Sequence, residues 1–96
     1  MPAEDNWWVY IIECEDGSLY TGISNHLLRR WQQHRSGKGA KYFRTRRPLK
    51  VIWLEYPHDK RSAARREYAI KQLKRQEKLA LIRQSPDAEK SAGTAA

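Results

Sequence analysis

Apolar and aromatic residues fill the stretch Trp7–Cys14 (WWVYIIEC) almost without a break. Its alternating sets are both largely apolar: Trp7, Val9 and Ile11 on one side, Trp8, Tyr10, Ile12 and Cys14 on the other. Aromatic and β-branched residues at this density predict a strand, and apolar character on both sides predicts one covered on both faces. Glu15-Asp16-Gly17 reads as a turn and Ser18–Ser24 (SLYTGIS) as a second strand. Loop length decides which side chains meet. A two-residue turn at Asp16-Gly17 puts Tyr10 and Tyr20 on opposite faces. A three-residue loop ending in a left-handed Gly17 puts both tyrosines on one face and sets Tyr10 across from Gly22. The second register is preferred because Gly17 suits that last position, although a slip by one residue reverses it.

After the hairpin the apolar period becomes helical. Leu27, Leu28 and Trp31 form the stripe of a helix over about His26–Ser36, capped by Ser24 or Asn25 and stopped at Gly37. His26, Arg30 and His34, spaced four apart, stack as a ridge beside that stripe. Ser36–Pro48 is a basic, glycine-punctuated loop with room for one short helical turn around Tyr42–Arg44. Lys50–Tyr56 is a third strand, ended by Pro57. Asp59 or Ser62 caps a helix over about Lys60–Leu73, whose apolar side carries Ala63, Ala64, Ala69, Ile70 and Leu73, with Glu67 inside the same arc. A further helix over about Arg75–Arg83 follows it or continues it. The order β-β-α-β-α-α predicts an α+β fold: a three-stranded antiparallel sheet flanked by helices, one domain over residues 7–84, and a disordered polar tail at 85–96.

Composition narrows the function. Ninety-six residues make one small domain, and 40% apolar content is enough to pack it. Nineteen Lys and Arg against eleven Asp and Glu leave a net charge of +8, which favours a polyanionic partner, nucleic acid foremost. The alternative, a basic protein whose charge only sets solubility, fits less well because the charge is uneven: no acid occurs between Gly17 and Leu54. The single cysteine, Cys14, excludes an intramolecular disulfide and a cysteine-based zinc site. No apolar run approaches the ~18 residues of a membrane helix, and the first residues lack the pattern of a signal peptide. A cytoplasmic protein without a membrane partner is expected.

Phosphodiester cleavage needs a base for water, a cation for the non-bridging oxygens, a stabiliser for the leaving oxygen and a way to hold the phosphate in line. Arg30 can grip a phosphate with two prongs at any pH, or lie solvated on its helix. His34, one turn on, can donate to the same phosphate or to the leaving group, or be a surface histidine. Glu67 can supply the single carboxylate that Mg²⁺ requires, or simply pair with Lys71 on a helix surface. Tyr10 and Tyr20 can relay a proton, or be core tyrosines. Lys38, Lys41, Arg44, Arg46, Arg47 and Lys50 form a candidate nucleic-acid-binding strip that contacts backbone phosphates. Gly37-Lys38-Gly39 could wrap a phosphate. Tyr42 and Phe43 could stack on bases or pin the loop to the core. No Walker loop, HExxH, nucleophile elbow or dinucleotide fingerprint is present.

Together these residues resemble the GIY-YIG nuclease superfamily. Its first motif stands here as Val9-Tyr10-Ile11 and its second as Tyr20-Thr21-Gly22, followed by Arg30, His34 and Glu67 in family order and spacing across about residues 7–83. The run GKGAKYFRTRRP with Glu67, Lys71 and Leu73 is similar to the small stand-alone bacterial members, the YhbQ-like group. The initial glycine of the first motif is replaced by Val9, and no asparagine occurs after Asn25, where many members carry one. The resemblance implies a single-metal DNA endonuclease with weak sequence specificity. Glu67 would hold Mg²⁺ or Mn²⁺, Tyr10 would act as or assist the general base, and Arg30 would bind the scissile phosphate. Tyr20 and His34 would orient water or contact the phosphate and leaving group, and Gly22 would keep the site open. Two other readings stand beside it: a non-catalytic nucleic-acid-binding module that kept the fold, and a scaffold domain. A protein partner for targeting is compatible with all three.

Overall fold

The hairpin adopts the three-residue loop. In the computed structural model, which describes residues 6–84, the Cys14 N–H donates to the Ser18 carbonyl at 3.0 Å and the Gly17 N–H to the Cys14 carbonyl at 2.9 Å. Gly17 has φ +84°, the left-handed conformation that the turn requires and glycine accepts without penalty. Strand β1 (Trp7–Cys14) therefore pairs antiparallel with β2 (Leu19–Ser24), with Tyr10 opposite Gly22 and Ile12 opposite Tyr20. Ser18 falls in the loop, where Asp16 accepts from its N–H and its hydroxyl.

β1 is the central strand of the order β2-β1-β3, antiparallel to both neighbours, which explains its two apolar faces. Val9 and Ile11 face a core with Trp53, Ala63 and Ile70. Tyr10, Ile12 and Cys14 face a second core with Phe43, flanked by Tyr20, Leu27 and Trp31. β3 runs Pro48–His58, longer than expected at both ends. Pro57 does not end it. A proline cannot donate a ladder hydrogen bond, but an outer strand has one side without a neighbour to receive it. Three register shifts between β1 and β3 absorb the irregularity, and Tyr56 stacks on Trp8 with ring centroids 4.2 Å apart.

Helix α1 (Leu27–Arg35) starts one residue later than expected: His26 is its cap position, and the Ser24 hydroxyl accepts from the His26 N–H at 2.9 Å. Gly37, at φ +79°, terminates it. Two expectations for α1 are corrected. Leu28 is 65% exposed, and the inward stripe is instead Leu27, Trp31 and His34. His34 therefore belongs to the buried face rather than to a rim ridge, while His26 is exposed. A short 3-10 turn spans Lys41–Arg44. Helix α2 (Lys60–Lys71) opens with a capping box, the Ser62 N–H donating to Asp59 Oδ1 at 2.7 Å and the Asp59 N–H to Ser62 Oγ at 3.2 Å. α2 packs on β1 and β2 through Ala63 and Ile70. Ala64 and Ala69, expected on this face, are exposed because each turns away from the line through positions 63, 67 and 70. Helix α3 (Arg75–Gln84) is separate from α2; the Glu77 side chain accepts from the Lys74 N–H at 2.7 Å and caps it. The tail expected at 85–96 lies outside the described residues. Among those described, no helix is long and apolar enough to cross a membrane.

Candidate active site

Register places Tyr10 and Tyr20 on the face of the sheet under α1, with ring centroids 6.4 Å apart. Between them Gly22 leaves room that no other residue could. A Cβ at that position would stand 2.6 Å from Tyr10 Oη and 2.9 Å from Tyr20 Cε2. Tyr10 is 1% exposed, and its hydroxyl is 2.8 Å from His34 Nε2.

His34 is fully buried, and its Nδ1 has no hydrogen-bond partner. The reason lies in the loop after α1: Gly39 packs so closely on the ring that a Cβ there would overlap Nδ1. The two ways of sharing the Tyr10–His34 proton differ in what they leave at Nδ1. One leaves a buried N–H without an acceptor, the other a bare lone pair against the Gly39 backbone. Each also leaves one buried proton without an acceptor, the Nδ1–H in the first case and the phenol O–H in the second, so either atom can donate in this contact. Burial, reinforced by the nearby Arg30 charge, lowers the His34 pKa to about 4, so the imidazole is neutral at physiological pH.

Arg30 and Glu67 approach the tyrosines from different elements. Arg30 is half-buried on α1, with Nη1 donating to Gln33 Oε1 at 3.0 Å. Its charge is felt by both phenols. Glu67 projects from α2 at the β2 side of the sheet, and its field also reaches both phenols. Its Oε2 pairs with Lys71 Nζ at 3.1 Å, and the same ammonium lies 5.9 Å from the Tyr20 ring centroid. The Glu67–Lys71 pair anticipated as a plain surface contact is thus formed within reach of the tyrosines. Burial raises the Tyr10 pKa, as does the Tyr20 phenol, and Arg30 opposes the rise. Burial also raises Tyr20, opposed by Lys71 and Arg30.

Phe43, Tyr42 and His34 close the cluster from the loop side. Phe43 is buried 4.4 Å from the His34 ring and 4.8 Å from Tyr20, and Tyr42 is 5.2 Å from Tyr20. Both aromatics pin the loop to the core. Gly39 and Lys71 are the participants that motif reasoning passed over as site residues. Only the small size of Gly39 beside a buried ring could have pointed to it. Of the basic strip, Arg44, Arg46 and Arg47 gather at one groove with Arg35, whereas Lys38, Lys41 and Lys50 are exposed but do not line it. No cluster of three or more His, Cys, Asp or Glu able to hold a metal exists among the described residues. Of the residues in this cluster, Glu67 is the one whose carboxylate could hold a divalent cation, and Mg²⁺ needs as few as one protein carboxylate because it keeps several of its waters.

The family model described as the GIY-YIG catalytic domain matches residues 6–80. A UPF0213 protein of Clostridium perfringens is 51% identical over 75 residues, covering 78% of this chain and 81% of that one. A UPF0213 protein of Oceanobacillus iheyensis is 49% identical over 79 residues, covering 82% and 92%. The solution NMR structure of a UPF0213 protein from Bacillus halodurans superposes with a TM-score of 0.54 at 42% identity, covering 85% of this chain and 89% of that one.

Proposed function

The chain belongs to the GIY-YIG family, and on that premise we propose that it is a divalent-metal-dependent endonuclease that hydrolyses DNA phosphodiester bonds with weak sequence specificity. The observation that carries the reading is the convergence of a neutral histidine, a fixed guanidinium charge and a carboxylate on the buried Tyr10 phenol and the half-buried Tyr20 phenol beside it.

In this reading Arg30, held by Gln33, grips the non-bridging oxygens of the scissile phosphate. Glu67, whose Oε2 pairs with Lys71, would hold Mg²⁺ or Mn²⁺. The cation would neutralise charge on the phosphate and reverse the sign of the field that Glu67 alone exerts on Tyr10. Tyr10, once its own hydroxyl proton has been lost to solvent, receives the proton of the attacking water, and a His34 Nε2–H steadies the phenolate oxygen until it does. His34 is too deeply buried to touch the phosphate or leaving group itself, so its role becomes that of a positioning and charge-stabilising partner for Tyr10. Tyr20, with Lys71 and Arg30 nearby, orients water or donates toward the leaving oxygen. Arg44, Arg46 and Arg47, with Lys38, Lys41 and Lys50 around them, steer the polyanion. A protein partner would supply target choice.

The burial of Tyr10 favours one second reading, a module that binds nucleic acid without turnover. In the free protein burial keeps the Tyr10 hydroxyl protonated, so base action depends on substrate and cation together. Incubating the purified protein with supercoiled, single-stranded and branched DNA in Mg²⁺ or Mn²⁺, against a chelator control, separates the two. Metal-dependent nicking supports the nuclease; tight binding without nicking on every substrate supports the module.

A further inference from the structure

We propose that an arginine-lined groove at the turn end of the hairpin is a second phosphate-binding site, holding the nucleic-acid strand about four nucleotides from the scissile bond. The proposal rests on the nuclease reading for its choice of polymer, though its test needs no turnover. The groove has a volume of about 550 Å³ and is lined by Arg35, Arg44, Arg46 and Arg47 together with one carboxylate, Glu15, and the Phe43 ring. Arg46 is already engaged: it pairs with Asp16 at 3.2 Å and lies 4.4 Å over the Tyr42 ring. Arg35, Arg44 and Arg47 have no acidic partner within ion-pair distance among the described residues, and all three are exposed. Unpaired guanidinium groups gathered in one concavity repel each other and raise the local potential. Their planar forks match the oxygens of a phosphodiester. The Glu15 N–H donates to the Arg47 carbonyl at 2.9 Å, which fixes the far wall of the groove to the hairpin.

Position makes this more than a charged surface. Phe43 is shared: it lines the groove and also packs on His34 and Tyr20. The groove opens where β1 ends, four residues beyond Tyr10. At ~3.3 Å per strand residue that is roughly 13 Å. A stacked strand laid along β1 advances ~3.4 Å per nucleotide, and on that path the groove meets the backbone about four phosphates from the one nearest Tyr10. An acidic peptide would satisfy the charges but has no reason to keep that interval.

The test is equilibrium binding of a short DNA duplex to the full chain by fluorescence anisotropy across a salt series. Arg44→Ala/Arg47→Ala is compared with wild type and with Arg61→Ala/Arg65→Ala, which removes the same charge from the exposed side of α2. Each lost phosphate contact lowers the slope of log K against log salt by about 0.9. The groove variant is expected to lose nearly two from its slope, so that wild type weakens roughly tenfold more than the variant between 50 and 200 mM salt. The α2 variant keeps the wild-type slope. Equal slopes for all three proteins, or an equal drop in both variants, overturn the groove whether or not the protein cuts DNA. In a second arm, single neutral methylphosphonate linkages are walked along a cleavable strand with wild-type protein. Interference confined to about the fourth linkage on one side supports the interval; interference only at the cut contradicts it. Wild-type nicking with equal salt slopes removes the groove and keeps the nuclease, and groove-dependent binding without nicking does the reverse.

Discussion

Gly39→Ala is the substitution whose outcome follows most directly from the packing around His34. The backbone at Gly39 is not left-handed, so alanine is conformationally acceptable. By that term alone the change would stabilise by about 0.4–1 kcal/mol through the unfolded chain. The methyl group, however, would overlap His34 Nδ1 and stand 2.9 Å from Cε1 and 3.2 Å from Cα. Cα is backbone and cannot step aside cheaply, so the ring must move by roughly an ångström to restore ordinary contact. That displacement stretches the 2.8 Å contact to Tyr10 beyond hydrogen-bond length. Overpacking costs about 1–3 kcal/mol, and stranding two buried polar atoms about 1–3 more. After the favourable backbone term, a net loss of about 1–5 kcal/mol is expected. In a His34→Ala background the added methyl enters the space the ring vacated, so the same change should cost at least ~1 kcal/mol less. Urea unfolding of the four proteins measures both numbers. A Gly39→Ala variant as stable as wild type, with additive behaviour in the double variant, would refute the assignment of Gly39 as the seat of His34.

Other consequences can be checked with the same material. Gly22→Ala places a Cβ 2.6 Å from Tyr10 Oη and should cost about 1–3 kcal/mol in urea unfolding; a neutral result would mean that the hairpin shifts to make room. His34 has its pKa depressed from 6.5 to about 4, so between those values the unfolded chain takes up a proton that the folded chain refuses. Stability is full above pH 6.5 and falls by about 3 kcal/mol as pH drops toward 4. His34→Gln should flatten that window of a stability–pH curve, leaving the losses from Asp16 and Asp59, both held below the ordinary 3.8, at lower pH. Asp59→Ala removes the α2 capping box and should cost about 1 kcal/mol of thermal stability; an unchanged melting temperature would show that packing of Ala63 and Ile70 alone sets the start of the helix.

The fold was legible where a residue had only one acceptable place. Gly17 required a left-handed turn position, which selected the hairpin register and brought Tyr10 and Tyr20 to one face. Apolar residues on both sides of β1 announced a central strand. Reading failed where the outcome depended on neighbours far along the chain. Pro57 looked like a stop because a proline breaks a ladder, yet β3 is an edge strand and has a side to spare. His34 looked like a rim residue because its spacing from His26 and Arg30 was helical, but spacing gives no direction until the position of the sheet is known. Gly39 looked like part of a phosphate loop because its contact with His34 is tertiary. The groove was half legible: Arg44, Arg46 and Arg47 were marked as basic, while Arg35 joined them only through the turn at Gly37 that folds the loop back.

The most direct test of the central claim is the nicking rate of supercoiled DNA by Glu67→Ala beside wild type in Mg²⁺ or Mn²⁺, with DNA affinity measured on the same preparations. The account predicts metal-dependent nicking by wild type, its loss in Glu67→Ala, and affinity unchanged or slightly raised, since a negative charge has been removed from the face that meets phosphate. Nicking by Glu67→Ala at the wild-type rate, with the same dependence on metal, would contradict it.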